Sequence, residues 1–548
     1  MNKNRIFVIA EYTSIIIFMA FLAIVMKYHE PWFDEAQSWL IARDSSFLDM
    51  IWNVLRYEGH PPLWYIVLYL PAHLGIPYEI GLKSINFIFI TLTVILIVKK
   101  SPFPLVIRLL LPFTYFIFYQ YGVISRSYSL FAFVLFLVAL NFPSRNQTPF
   151  KFAILLGLLC GVLIHGILIA FGIVIAWLIE LFVSYKKTTS SFNIKVFKRV
   201  FRNPIFYSLS LLAFVNLIYL SILWPKPDRF TLMQKTEFDL FKFLFNAIID
   251  PLNGVVFNVI YNTSTSVNLN IILTFVGCLI LTVAFFMWIH KKGMLLYISI
   301  PYLLILSFMS LIYFARHHTG IYTLFFMFSL WITLNSNPIF KENILLSNLY
   351  NSFIIILDKR KSIRYLLKSS LYLAIIIQIF WSVSASISDI KLSYCSSRDI
   401  ASFIKEYHLE NYKILNCTAL NYKDERYYET DPTSLPYFES NLFYTLNKDD
   451  INKCFISHKS SDINNYAIRN IISANKPDVI IDTIVNEKST VSDFLDMNNY
   501  ITVKVFYSNY IWKNLLGYST QIAYVSKELY EKRPDIHPIL IIDFDNEN

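Results

Sequence analysis

Runs of about 20 mostly apolar residues recur between residues 6 and 389, and they constrain the fold of this chain more than any other feature. The chain has 548 residues, of which 55% are hydrophobic and 16% are charged. A soluble protein does not have this composition, whereas apolar runs of this length are typical of transmembrane helices. The sequence therefore predicts a polytopic α-helical membrane protein.

Basic residues in the short loops predict the orientation of these helices. Eleven spans are predicted, at residues about 6–26, 81–98, 104–120, 123–141, two within 152–184, 204–224, 269–289, 294–313, 320–335 and 369–389. Lysine and arginine cluster in alternate short loops, which places those loops in the cytoplasm. The protein is then a multi-pass protein of the cell (cytoplasmic) membrane, with a cytoplasmic amino terminus and an extracytoplasmic tail. The same loops account for the net charge of +10, so no nucleic-acid partner is expected.

Two apolar stretches, 152–184 and 61–75, do not have the length of a single membrane span. As one helix, residues 152–184 would extend about 50 Å, against a hydrocarbon core of about 30 Å. Because basic residues flank both ends, this stretch is predicted to be a hairpin that turns within residues 161–166. Residues 61–75 are short and contain Pro71 and His73, so we expect an interfacial helix there. The first run, 6–26, lacks a small-residue cleavage site and is expected to remain as a signal anchor.

The segment Trp32–Tyr65, in the first outer loop (about 27–80), carries the most informative polar residues. It contains the adjacent acids Asp34 and Glu35 and, further on, the run His60-Pro61-Pro62-Leu63. Acids are costly beside a bilayer, so this pair suggests a functional site, although a solvated loop is the plain alternative. An apolar stripe at helical spacing predicts interfacial helices over residues 34–55, broken at 43–45, with Ser46 as the cap of the second helix.

Residues 396–548 differ in composition and predict a small extracytoplasmic α/β domain. Amphipathic runs at 401–409 and 464–474 alternate with short apolar runs at 412–417, 453–458, 478–484, 501–507 and 521–526. No phosphate-binding loop occurs in this tail. The five cysteines show no metal-ligand spacing, and a disulfide among Cys395, Cys417 and Cys454 stays open.

The predicted topology brings several charged and imidazole groups to one membrane face. These groups are Asp34, Glu35, Glu58, His60, Arg126, His165, Arg316, His317 and His318. Each alone has a simpler interpretation as an interface anchor, a core histidine or part of a solvated turn. Together, a carboxylate beside arginine and histidine suits the deprotonation of an acceptor while cations hold an anionic leaving group. At this depth, that leaving group is expected to be a lipid phosphate.

The order of first span, Asp-Glu pair, interfacial helices and His-Pro-Pro-Leu turn resembles the membrane glycosyltransferases with the GT-C fold. In particular it resembles the protein O-mannosyltransferase and aminoarabinose-transferase group, which use polyprenyl-phosphate sugars. The resemblance covers residues 1 to about 330. It implies that Asp34 is the catalytic base, that Glu35 supports it, and that His60 borders the active site.

The resemblance also bears on the donor site. His165 stands where many relatives carry a lysine near the donor phosphate, and Arg316 and His317 stand where relatives often carry an Arg-Tyr pair. With Arg126, these residues are the expected donor-phosphate ligands. Residues 1–395 would then form a GT-C-like catalytic module with about 11 transmembrane helices, followed by the domain at 396–548.

The expected function is an inverting transfer of a sugar from a polyprenyl phosphate to a lipid, polysaccharide or protein acceptor in the cell envelope. Asp34, Glu35 and His60 are the expected catalytic residues. No metal site is assigned; a divalent ion at Glu58 and His60 stays open, since no ligand spacing favours it. The alternatives are a transporter or flippase of lipid-linked saccharides, a polysaccharide polymerase or ligase that uses the loop 225–268, and a membrane scaffold.

Overall fold

A computed structural model gives the architecture. It describes residues 3–188, 203–227, 269–313, 316–336, 361–422, 425–443, 454–456, 472–484, 495, 499–513 and 515–537. In these ranges a helical module precedes a small mixed β-sheet. The loop 225–268 lies almost entirely outside the described residues.

Helices occupy every predicted span. The main helices of the module are α1 (Lys3–Tyr28), α2 (Phe33–Asp44), α3 (Leu63–His73), α4 (Tyr78–Lys100), α5 (Tyr128–Asn141), α6 (Pro149–Cys160), α7 (Ile164–Thr188), α8 (Pro204–Leu223), α9 (Leu269–Lys291), α10 (Leu295–Leu311), α11 (Thr319–Asn335) and α12 (Lys361–Lys391). Between α4 and α5 the chain forms a short helix, Leu105–Leu110, a 3₁₀ turn, Leu111–Phe113, and a π-helical segment, Phe116–Val123.

Several of these helices are suited to a membrane. Six segments in the described ranges are long and apolar enough to cross one: Arg5–Tyr28, Tyr78–Lys100, Leu105–Val123, Ile164–Ser184, Pro204–Leu223 and Ser369–Lys391. The other five predicted spans coincide with shorter apolar helices. A membrane protein is therefore indicated, whereas the count of eleven crossings and their direction stay predictions.

The stretch 152–184 is a hairpin, as predicted. Helix α6 ends at Cys160 and α7 begins at Ile164, and a Cβ on Gly166 would lie 2.1 Å from the Leu159 carbonyl oxygen, so the two arms meet closely. The buried tip residue Val162 lies inside protein. The Gly161 carbonyl accepts a hydrogen bond from the Leu63 amide (2.8 Å), which fixes the start of α3 on this tip.

Helix α2 is more buried than an interfacial helix should be. The helix ends at Asp44 and Ser45 is extended, as the predicted break requires, and the Ser46 hydroxyl accepts a bond from the Asp49 amide (3.4 Å). However, residues 35–42 of α2 are all buried. The physical reason is that α3 and the tail cover it: the Arg43 guanidinium donates to the Phe438 carbonyl (2.8 Å).

The tail forms the predicted α/β arrangement. Its elements are α13 (Ser397–Glu406), β1 (Ile414–Tyr422), β2 (Glu425–Thr430), β3 (Val479–Ile484), β4 (Tyr500–Trp512), β5 (Leu515–Ser526) and α14 (Lys527–Lys532). The strand order is β2-β1-β3-β5-β4, with β1 and β3 parallel and the other pairs antiparallel.

Some details of the tail differ from the prediction. Strand β2 was not predicted, because its sequence, ERYYET, is too polar to stand out. Residues 454–456, in the predicted strand 453–458, form no strand, and most of the amphipathic run 464–474 lies outside the described residues. The cysteines are free, so the alternative of a disulfide among Cys395, Cys417 and Cys454 is not realised in this structure.

Candidate functional site

A pocket opens beside the first turn of α2. Its empty space, including the open mouth, is about 450 Å³. The lining comes from α2, the turn before α3, the first turn of α3, the turn before α5 and the tip of the α6–α7 hairpin. The lining residues are Phe33, Asp34, Gln37, Ser38, Glu58, His60, Trp64, Tyr65, Arg126, Ser127 and Val162.

Asp34 and Arg126 form an ion pair in this pocket. Their side chains approach to 2.9 Å between Arg126 Nη1 and Asp34 Oδ2. Asp34 lies in the first turn of α2, where the helix dipole favours a negative charge, and 34% of its side chain remains exposed. Arg126 is much less exposed, at 13%. The carboxylate is thus paired with a cation yet stays open toward the pocket.

The environment of Arg126 keeps it charged. Burial lowers the pKa of this guanidinium, but the Asp34 carboxylate and nearby acidic groups raise it, and the net result is above its usual range. The guanidinium also faces the rings of Trp32 (5.8 Å) and Tyr128 (5.2 Å). An arginine has five N–H donors, so the bond to Asp34 leaves others for an anionic ligand.

Glu35 points away from the pocket and is fully buried. One carboxylate oxygen accepts the Ser125 amide (2.5 Å), and the other accepts the Trp32 amide (3.1 Å) and contacts His29 Nε2 (3.1 Å). Ser125 precedes Arg126 in the chain. Glu35 therefore positions the turn that carries Arg126, and it does not line the pocket.

Sequence reasoning missed the partners of Glu35. His29 lies between Glu35 and Asp389, whose Oδ2 is 2.8 Å from His29 Nδ1 and also accepts a bond from the Tyr119 hydroxyl (3.2 Å). Burial lowers the pKa of His29, but the Asp389 and Glu35 carboxylates raise it, to about 9. His29 is therefore protonated at neutral pH and joins the ends of α1 and α12 to the base of the pocket. The only sequence signal was a histidine and an aspartate at the ends of the first and last predicted spans.

His60 lines the pocket as a neutral imidazole. Its Nδ1 lies 3.1 Å from the Glu58 carbonyl oxygen, so a proton on Nδ1 would donate to that carbonyl and leave Nε2 as an acceptor. Burial and the Arg126 charge lower the pKa of His60, against the opposing effect of Glu58 and Asp34. At neutral pH the ring can accept one hydrogen bond from a pocket ligand.

Three more imidazoles cluster behind Arg126. His317 Nε2 is 3.3 Å from Arg126 Nη1, and the His318 ring lies 4.5 Å from His317 and 5.0 Å from His165. His165 is buried, and neither of its ring nitrogens has a hydrogen-bond partner. The structure thus brings His165 and His317 to the side of Arg126 but not into the pocket lining. The side chain of Arg316 lies outside the described residues, and its backbone begins the 3₁₀ turn Arg316–His318.

Metal ligation gains no support from the described part of the chain. Within it, no group of three or more His, Cys, Asp and Glu side chains is arranged to hold a metal ion. Glu58 and His60 line the same pocket, but the Glu58 carboxylate accepts a bond from the Gln37 amide (2.9 Å).

The tail reaches the pocket wall through Gln37. The Gln37 side chain pairs with the backbone of Ile456, donating to its carbonyl (2.7 Å) and accepting from its amide (2.9 Å). Because Gln37 also lines the pocket, this contact ties the tail to the site.

No family model, curated protein or solved structure matches this chain. The assignment of function therefore rests on the chemistry of the site.

Proposed function

We propose that this protein is an inverting glycosyltransferase that moves a sugar from a polyprenyl phosphate to an acceptor hydroxyl or amine at the outer face of the cytoplasmic membrane. One observation carries the proposal: the partly exposed Asp34 carboxylate is paired with Arg126 at 2.9 Å inside a pocket at the ends of apolar helices. Such a site offers a base and a phosphate-binding cation side by side.

The proposed reaction is a single displacement. Asp34 takes the proton of the acceptor, whose oxygen or nitrogen attacks the anomeric carbon from the face opposite the phosphate. The bond between that carbon and the phosphate oxygen breaks, and the electron pair leaves with the lipid phosphate. Arg126 neutralises the charge that develops on the departing oxygen. Inversion follows because only one displacement occurs.

The neighbouring groups have supporting roles. His60 accepts a hydrogen bond from the sugar or the acceptor, since burial keeps it neutral. His317 lies 3.3 Å from Arg126, and His165 lies behind it next to His318; neither lines the pocket, so their proposed support of the donor phosphate acts through Arg126. Arg316 is assigned to the same phosphate on its place in the chain alone. Glu35 supports the reaction indirectly, because it accepts the Ser125 amide and so positions the turn that carries Arg126.

The tail (396–548) is proposed to select the acceptor or cover the pocket. Its contact with Gln37 supports this role, because Gln37 belongs both to the pocket wall and to the docking of Ile456. A domain over the pocket would exclude water and restrict hydrolysis of the donor. A purely stabilising module is the alternative.

The acids Glu11 and Glu180, at other helix ends, are paired with cations, which favours an enzyme with its chemistry at one membrane face over a transporter. The Glu11 carboxylate, near the start of α1, pairs with Lys99 (3.0 Å) and Arg108 (2.8 Å). Arg145 pairs with Glu180 (2.6 Å). These acids are matched by cations, which suits structural roles, whereas a transporter or flippase would be expected to line a path through the bundle with polar groups.

The test is donor turnover by the full-length protein in liposomes that contain radiolabelled polyprenyl-phosphate hexose or pentose, with an envelope extract added as the source of acceptor. We expect cleavage of the sugar–phosphate bond, reduced about 10²–10⁴-fold in Asp34→Asn, the usual effect of losing a general base. Asp49→Asn, an acid outside the pocket lining, is the matched control. Movement of intact donor across the bilayer would instead identify a transporter.

A further inference from the structure

The β4–β5 hairpin extends from the tail along the last helix of the module. The Asn509 amide in β4 donates to the Ser393 carbonyl (2.8 Å), two residues beyond the end of α12. From Asn509 the strand continues to Trp512, and β5 returns from Leu515. The part of the hairpin after Asn509 therefore runs back alongside α12.

The hairpin tip contacts α12 well inside its apolar segment. The ammonium of Lys513 lies 4.3 Å from the ring of Trp381, and Trp512 packs edge-on against Tyr115 (5.9 Å). Trp381 precedes Lys391, the last residue of α12, by ten residues, which is about 15 Å along a helix. Four residues of strand from Asn509 to Lys513 span about 13 Å, in agreement. The tip thus lies at the depth of the apolar helices.

The outer surface of this hairpin is aromatic and aliphatic. Tyr507, Tyr510, Leu516 and Tyr518 are exposed, and Tyr518 is the most exposed of them, at 73%. The strand register pairs Tyr518 with Asn509 and Leu516 with Ile511. Tyr507 therefore lies above the level of Ser393, Tyr518 lies at that level, and Leu516 lies about 7 Å deeper.

This order of residues matches the layers of a bilayer surface. Tyrosine is favoured where water meets lipid, and leucine is favoured in the hydrocarbon region. The exposed residues Phe380, Val383 and Ile387 form an apolar stripe on α12, a candidate membrane span, at spacings of three and four residues. Leu516, the deepest exposed residue of the hairpin, lies near the level of Ile387, at the end of this stripe closest to Ser393.

We infer that the β4–β5 hairpin is a lipid-binding anchor: it dips beside α12 and holds the outer layer of the bilayer against Tyr507, Tyr518 and Leu516. The tail domain is then seated on lipid as well as on the helical module. This inference depends on the membrane location of the helices and is independent of the proposed glycosyl transfer.

The depth of the hairpin can be measured in lipid nanodiscs. Single cysteines replace Tyr507, Tyr518 or Leu516 and carry a polarity-sensitive fluorophore, and quenching is compared between ordinary lipids and lipids with brominated acyl chains. Glu528→Cys is the matched control, because Glu528 is 81% exposed and follows the far end of β5. The unsubstituted protein, treated in parallel, corrects for labelling of its own cysteines.

We expect quenching by brominated lipid to increase from position 528 through 507 and 518 to 516, with a several-fold difference between the extremes. Equal and weak quenching at all four positions would overturn the inference. If Leu516→Cys does not fold, the comparison of 518 with 528 still decides. The inference would also be overturned if brominated lipid left the fluorescence unchanged while added envelope polysaccharide altered it. That result would assign the hairpin surface to acceptor binding.

Discussion

Asp34 and Glu35 are adjacent in the chain but belong to two regions with opposite character. Around Glu35, His29 and Asp389, every group is buried, and the imidazolium is held between two carboxylates. Around Asp34, the carboxylate has a cation on one side and open space on the other. Burial and mutual hydrogen bonding of charged groups are typical of a scaffold, whereas a carboxylate that is paired with a cation and left partly exposed is suited to a reactive role.

The largest expected effect is on the scaffold. Asp389→Ala removes one of the two carboxylates that face the buried His29 charge and also the acceptor of the Tyr119 hydroxyl. Breaking a buried pair in this way costs about 3–5 kcal/mol. Thermal or denaturant unfolding in detergent should show a large loss, while Ser388→Ala, the half-buried neighbour on α12, should leave stability nearly unchanged. Equal stability of the two variants would contradict a scaffold role.

The next largest effect is a loss of donor turnover when the pocket residue Arg126 is replaced. Arg126→Ala should reduce donor turnover about 10²–10³-fold, the typical effect of removing one electrostatic donor from a reacting oxyanion. Arg126→Lys should recover part of the rate, because it keeps the charge but not the fork of donors. Arg56→Lys is the control, since Arg56 donates to the Trp224 carbonyl outside the pocket lining. Full turnover in the Arg126→Ala variant would show that Arg126 does not neutralise the departing phosphate.

The melting temperature should depend on pH through the buried His29 region. His29 has its pKa raised from 6.5 to about 9 in the folded protein. A raised pKa in the folded state means that the contribution to stability is complete below pH 6.5 and is lost as pH rises through about 9. The melting temperature of the wild type should fall over this range more than that of His29→Gln. Parallel curves for the two proteins would show that His29 is not the titrating group.

The smallest effect is expected where the tail meets the pocket. Gln37→Ala removes two bonds to the Ile456 backbone and one to Glu58, which should cost about 1–3 kcal/mol. If the tail presents the acceptor, the variant should raise the acceptor KM while donor binding stays close to normal. Ser46→Ala, which removes a helix cap outside the pocket lining, provides a comparison of similar size. A loss of donor binding in folded Gln37→Ala would mean that this wall belongs to the donor site.

Much of the fold could be predicted because hydropathy and loop charge report directly on membrane helices. The hairpin at 152–184 followed from its length and from the basic residues at both ends. The burial of α2 could not be predicted, because its cover comes from the tail, through contacts such as Arg43 with Phe438, about 400 residues apart in the chain. Strand β2 was missed for a different reason: its polar sequence, ERYYET, has no apolar alternation.

The candidate site also has a part that the sequence could predict and a part that it could not. The proximity of Asp34, Arg126 and His317 was expected because the predicted topology placed them at one face. The pairing of His29 with Asp389 was missed: the two residues are 360 positions apart, and only the packing of α1 against α12 brings them together. Sequence also gave no sign that Glu35 would turn inward and Asp34 outward, since that depends on where the Ser125 amide lies.

The most direct measurement compares Asp34→Asn with Glu35→Gln in the same preparation, recording both donor turnover and melting temperature. Asp34→Asn should lose turnover about 10²–10⁴-fold with a nearly unchanged melting temperature, since it removes the proposed general base, which lies partly exposed. Glu35→Gln should lower the melting temperature strongly, because it removes a buried charge beside His29. Wild-type turnover in folded Asp34→Asn, or an unchanged melting temperature in Glu35→Gln, would contradict this division of roles.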